Sequence, residues 1–136
     1  MADDLNTLLE WTIFYVKNKD IIKKDIKDYN VMKNYVEFEY KDKKHVYYSY
    51  PELDEEIFEK TTEGWVTLVC LNKKENINFT VRNWEKLIKN PKFSMIFVHP
   101  KSSQKWIIFP HTHNKITEKS TLKLGLETMA MEVLSV

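Results

Sequence analysis

The residues best suited to chemistry in this chain are His111 and His113, in the stretch "IIFPHTHNKI" (107–116). On an extended strand, positions i and i+2 share a face, so two imidazoles spaced this way can reach one ion. Zinc needs a third ligand, and His99, which ends "FSMIFVH", is the natural candidate, with Cys70 or an acid behind it. Pro110 argues instead that the strand has ended, so that the two histidines close it and hydrogen-bond to local backbone. No CxxC or HExxH accompanies them. The expectation is no cofactor, with Zn at the three histidines as the alternative.

A second set is Glu39 and Lys41 in "EFEYK". E-x-K is half of the nuclease signature PD-(D/E)xK, in which a carboxylate holds Mg²⁺ and an ammonium approaches the scissile phosphate. The signature also needs an upstream acid, and Asp28 is the nearest one before that strand. Charged triplets of this kind serve as well as cross-strand partners on an exposed face, which is the reading favoured here.

The third set is basic and aromatic: Arg82, Trp84, Lys86, Lys89, Lys92, Phe93, Lys101, Lys105, Trp106 and Lys115. Residues 73–123 carry eleven Lys or Arg against three Glu, whereas 51–63 carry six acids against Lys60 alone, in a chain of net charge +1. Rings stack on bases and ammonium groups neutralise phosphates, so such a stretch suits a nucleic-acid strand. Trp84 and Trp106 lie at core spacings of a helix and a strand, so those rings are expected inside and the lysines outside. Tyr47, in "HVYYSY", is expected on the wetter face of a hairpin as a second stacking platform.

Elements must position these groups. Leu5, Leu8, Leu9, Trp11, Ile13 and Val16 recur at three-to-four spacing and predict an N-terminal helix. Ile21, Ile22, Ile26 and Tyr29 predict a second short helix or an irregular bridge. "NYVEFEYK" and "HVYYSYP" alternate with period two and predict a hairpin. The acidic segment that follows reads as a connection or short helix. "WVTLVCL" (65–71) reads as a central strand covered on both faces, and "INFTV" (77–81) as a further strand. "RNWEKLIKN" predicts a short helix capped by Thr80 or Asn83 and stopped before Pro91. Two more strands follow at 93–99 and 105–111, and then a C-terminal helix with Leu122, Leu126, Met129 and Val133 on one face. That helix packs on the sheet or, through Met129 and Met131, forms the seam of a homodimer. The expected fold is a single α+β domain over 1–136. It holds a mostly antiparallel or mixed sheet of five to six strands, an N-terminal helix, one short crossover helix and a C-terminal helix.

The path from "WVTLVCLNKKENINFTV" through "RNWEKLI" to "SMIFVHP" resembles the strand–strand–helix–strand core of restriction-endonuclease-like (PD-(D/E)xK) folds. That resemblance implies an E-x-K on the strand before the core helix. Here "VCLNKK" and "INFTV" offer no acid, and Glu39-x-Lys41 lies on an earlier strand, so the resemblance implies a nuclease-like fold without its chemistry.

Composition sets the bounds. Apolar residues at 43% and aromatics at 13% are enough for a core. Two glycines exclude GxGxxG and P-loop phosphate cradles. The single cysteine, Cys70, excludes an internal disulfide, sits in an apolar run and reads as a small buried hydrophobe. No apolar run is long enough for a membrane span, and no positively charged leader is visible, so the expected setting is cytoplasmic without a membrane partner. The expected function is a non-catalytic binding module for nucleic acid through the basic 73–123 side. The alternatives are a metal-dependent hydrolase and a protein–protein adaptor that uses the acidic 51–63 segment.

Overall fold

Six strands form one mixed sheet in chain order in the computed structural model, which describes residues 2–136. They are β1 (Ile26–Val31), β2 (Tyr35–Tyr40), β3 (Lys44–Ser49), β4 (Trp65–Leu71), β5 (Phe93–His99) and β6 (Gln104–Ile108). The first three run antiparallel, β3, β4 and β5 run parallel, and β6 returns antiparallel to β5. The helices are α1 (Ala2–Lys19), α2 (Lys74–Arg82), α3 (Trp84–Leu87), α4 (Pro110–Ile116) and α5 (Leu122–Met131), with 3-10 turns at Glu55–Glu59 and Lys119–Thr121. This is the α+β class expected, with helices at both ends and a six-stranded mixed sheet.

Alternation along the central strands sorts their side chains into two cores. Val66, Leu68 and Cys70 of β4 and Phe93, Met95 and Phe97 of β5 face one side, against Ile77, Phe79, Trp84 and Leu87 and against Leu122 and Leu126 of α5. Val69, Leu71, Ile96 and Val98 face the other side, beneath Leu8, Leu9, Trp11 and Val16 of α1. Both connections between parallel strands, 50–64 and 72–92, pass over the first side through Leu53, Ile57 and the α2 residues. A constant crossover handedness requires this when strands are added in one direction. Among the described residues, α1 is the one helix that contributes to the second core.

Three segments differ from the sequence expectation. Residues 21–29 form no second helix. The Asp20 carboxylate accepts hydrogen bonds from the backbone N–H groups of Asp25 (2.8 Å) and Ile26 (3.0 Å), Lys24 turns left-handed (φ 52°), and β1 begins. Ile21 and Ile22 are exposed, so their spacing marked no packing stripe.

Residues 77–81 belong to α2, not to a strand. Buried Asn76, Ile77, Phe79, Thr80, Trp84 and Leu87 recur at three-to-four spacing once two polar residues join the inward face. Asn76 tolerates burial because Oδ1 accepts from Leu53 N (2.8 Å) while Nδ2 donates to Pro51 O (2.8 Å) and Leu71 O (2.9 Å). The Thr80 hydroxyl donates to Asn76 O at 2.8 Å, and the Asn83 amide donates to Phe79 O at 2.9 Å, so neither side chain caps the next helix. The chain pauses at Asn83 and resumes as α3, so the crossover carries two helices rather than one. The segment likened to strand–strand–helix–strand is strand–helix–helix–strand.

β6 stops at Ile108, and residues 110–116 form α4 with Pro110 in the first turn, where a missing N–H costs no helical hydrogen bond.

Candidate functional site

The three sets of residues drawn from the sequence do not gather into one place. His111 and His113 sit on α4, where two residues of spacing turn the side chains apart by about 200°, so the shared strand face does not exist. His111 Nδ1 lies 2.8 Å from Ile88 O, and the His113 ring meets Trp84 edge-on at 6.0 Å. His99 is paired to Gln104 at the far end of β6 from α4, and its Nδ1 lies 2.8 Å from Ser102 Oγ. Among the described residues, no three His, Cys, Asp or Glu side chains gather in a way that could hold a metal ion. Glu39 faces Lys44 on β3 and Asp28 on β1, and Lys41 lies 3.7 Å from Asp25. Asp28 and Glu39 are like charges, Lys44 pairs with Glu37 (3.9 Å) rather than Glu39, and Lys41 has Asp25 as a local counter-charge.

The basic set is divided between surfaces. Arg82 and Lys86 cover Phe79 and Phe58 (5.9 and 4.6 Å to the ring centroids) on the α2–α3 side, where Lys89 follows α3. Lys101 is in the β5–β6 turn and Lys115 in the last turn of α4. Lys105 lies over Tyr15 of α1 (5.2 Å), and Lys92 lies over Trp65 at the start of β4 (5.4 Å). Trp84 and Trp106 are buried, as their spacing implied. Tyr47, expected on the wet face, is 4% exposed, because α1 covers that side of β3.

Lys92 and Lys105 point instead to a site that lies mainly outside residues 73–123. The α1 face of the parallel strands is apolar toward their C-terminal ends, at Val69, Leu71, Ile96 and Val98. At their N-terminal ends it turns polar, with His45, Thr67 and Ser94 on neighbouring strands. His45 Nε2 lies 2.8 Å from Thr67 Oγ1, which lies 2.8 Å from Ser94 Oγ. The last turn of α1 ends over this polar floor and leaves a cavity of about 360 Å³. One wall is Val16, Lys19, Asp20, Lys23 and Asp25, the other is Tyr40, Asp42 and Lys43, and His45, Tyr47 and Trp65 complete the lining.

Aromatic rings dominate its surroundings. His45 stacks on Tyr47 (4.3 Å, 17°) and lies 6.2 Å from Trp65. Trp65 is 38% exposed, while Trp11, Trp84 and Trp106 are buried. The Lys43 ammonium lies 4.0 Å from the Trp65 centroid and 5.5 Å from that of Tyr40, and Lys19 lies 5.1 Å from that of Tyr15. Among the described residues, ion pairs engage Lys41, Lys44, Lys60, Lys73 and Lys119, and none of Lys19, Lys23, Lys43, Lys92 or Lys105. These five ammonium groups rest near rings or one another rather than on carboxylates.

Neighbouring lysines repel positive charge at Lys19 and His45. Burial draws the Lys19 ammonium below its ordinary range, and Lys105, Lys23 and Lys43 add repulsion. His45 is pushed down to about 4 by burial, then by Lys43 and Lys19, so it is neutral at pH 7. Burial raises the Tyr47 hydroxyl, which is hydrogen-bonded to Tyr40. An anion entering this cavity would relieve the repulsion that now acts on both bases.

Sequence reasoning missed Lys19, Lys23, Lys43, His45 and Trp65 as a group. Acids at 20, 25, 28 and 42 hide the lysines from a net-charge count, and Trp65 opens an otherwise apolar run. The signal available was a polar residue near the start of two apolar strands, Thr67 in "WVTLVCL" and Ser94 in "FSMIFVH". Comparison of the chain with protein-family models, curated proteins and solved structures finds no match, so its reading rests on this geometry.

Proposed function

We propose that this protein is a binding module for nucleic acid, without catalysis, and that its contact surface is the lysine–aromatic site at the end of α1 rather than the whole basic 73–123 side. One observation carries the reading: Lys19, Lys23, Lys43, Lys92 and Lys105 make no ion pairs among the described residues and are interleaved with Tyr15, Tyr40 and the exposed Trp65. Ammonium groups without carboxylate partners, beside an exposed ring, form the pattern by which single strands are held, and a base would take the ring face that Lys43 and Lys92 now cover. A cytoplasmic setting suits that ligand.

Titration of a labelled single-stranded oligonucleotide tests it. Lys43→Ala with Lys92→Ala should weaken binding at least tenfold, whereas Arg82→Ala with Lys86→Ala and Lys89→Ala should leave it within twofold. The opposite ranking would return the interface to the α2–α3 side, and no binding at low salt would end the nucleic-acid reading.

A further inference from the structure

We infer that the cavity beneath the end of α1 is a mononucleotide pocket, holding one phosphate-bearing nucleotide, whether free or at the end of a strand. The inference deepens the nucleic-acid reading and rests on it for the strand-end case. The first support is shape. Residues 16–25 and 40–43 face each other across one local cavity, the cup, with His45, Tyr47 and Trp65 completing its lining. Its volume of about 360 Å³ lies at the lower end of the range of about 300–1,000 Å³ typical of small-ligand pockets, and suits one nucleotide better than several.

The second support is the division of charge within the cup. Lys19, Lys23 and Lys43 line it together with Asp20, Asp25 and Asp42. Both Asp20 oxygens are held by backbone N–H groups, and Asp25 faces Lys41. The lysines are therefore the groups open to a phosphate. Asp25 and Asp42 would repel a second phosphate, yet can accept hydrogen bonds from ribose hydroxyls or exocyclic amines. A nucleoside monophosphate satisfies both requirements, whereas a polyphosphate chain violates the second.

The third support is the floor. His45 uses Nε2 on Thr67, and its Nδ1 has no hydrogen-bond partner among the described residues. Trp65 stands at the cup with a partly exposed ring, and a phosphate that draws Lys43 off it would open that face to a base. The charged groups that face His45 are Lys43 and Lys19, both on the cup walls. A phosphate seated between them would shift the imidazole titration upward, so His45 reports occupancy directly.

The experiment combines affinity with NMR of the histidine rings, with His45 assigned from a His45→Gln variant and His99, His111 and His113 as internal references. The probes are adenosine 5′-monophosphate, inorganic phosphate, and one single-stranded oligonucleotide bearing a 5′-phosphate, a 3′-phosphate or none. Expected are at least tenfold tighter binding of a terminally phosphorylated oligonucleotide and an upward move of the His45 titration midpoint with the monophosphate, both lost in Lys19→Met with Lys43→Met. Equal affinity for all three oligonucleotides, with His45 unmoved by the monophosphate, overturns the pocket and leaves the strand-binding reading standing. A tighter phosphorylated oligonucleotide that leaves His45 unmoved also overturns it, because the phosphate then sits elsewhere. A response to inorganic phosphate alone, with no added affinity from the nucleoside, reduces the cup to an anion site and rejects the nucleotide. No oligonucleotide binding, with a monophosphate that still shifts His45, ends the strand reading and leaves a site for a free nucleotide.

Discussion

His45 carries a consequence that can be checked without any ligand. Its imidazole titrates near 4 when folded, from an ordinary value of 6.5, because burial and the Lys43 and Lys19 charges disfavour the cation. Between those values the unfolded chain binds more protons than the folded one, so stability rises with pH across the window and falls on acidification. At pH 4.5 this group should cost about 2–3 kcal/mol relative to pH 7. Denaturant melts at the two pH values should show wild type losing that much more than His45→Gln. Equal losses would mean that the ring is solvated when folded. Trp65 makes the complementary case. With 38% of its surface open, Trp65→Ala should cost less folding stability than truncation of a fully buried Trp, and should also weaken oligonucleotide binding by about 1–3 kcal/mol if a base stacks on it. Parallel melts and titrations of that variant separate the two effects.

Among the elements, those that follow one period throughout were legible and those stabilised by side-chain hydrogen bonds were not. Helix α1 and strands β2, β4 and β5 stay legible because apolar groups set their inward spacing, and the polar residues they bury (Thr12, Thr67, Ser94) do not break it. In "INFTV" the apolar residues 77, 79 and 81 alternate, and only the buried Asn76 and Thr80 restore helical spacing. A pattern of apolar residues cannot register amides that reach burial through backbone partners. Asn72 shows the same limit at the end of β4. Its Nδ2 lies 3.1–3.2 Å from the carbonyls of Ala130, Val133 and Leu134, and its Oδ1 accepts from the Trp106 indole at 2.8 Å. One amide thus joins β4, β6 and the end of α5. Asn72→Ala should destabilise the fold by about 3 kcal/mol, since it leaves the indole N–H and three helix-end carbonyls without their partner. A change below about 1 kcal/mol in denaturant melts would show that water replaces the amide. Apolar patterning did capture α5, where Leu122, Leu126, Met129 and, just beyond it, Val133 meet the core while Leu124 and Met131 stay exposed, so Met129 packs inward rather than beside Met131.

At the scale of the molecule, net charge conceals a local arrangement. The chain totals +1, but the five lysines around α1 and Trp65 form no ion pairs among the described residues and gather beside aromatic rings. Binding through such a patch should depend on salt far more than the total charge suggests. With up to five phosphate contacts at about 0.7 ions released per contact, the logarithm of the binding constant should fall with the logarithm of salt at a slope of roughly −3. A slope near zero would point to contacts that are not ionic. The basic excess at 73–123 was visible in the sequence, but sheet topology, which no charge count contains, sends Arg82 and Lys105 to opposite faces.

The placement of α1 also sets an order of events. A ribosome releases α1 before any strand, and yet its apolar stripe rests on Ile96 and Val98, about 80 residues beyond Val16. At roughly 5–20 residues per second, that stripe waits several seconds for its cover. The lining of the cup is made sooner, because its last residue, Trp65, belongs to β4. Nascent chains of this protein should therefore expose an amphipathic helix to chaperones early, and hold all the residues that line the cup before β5 arrives to cover that helix.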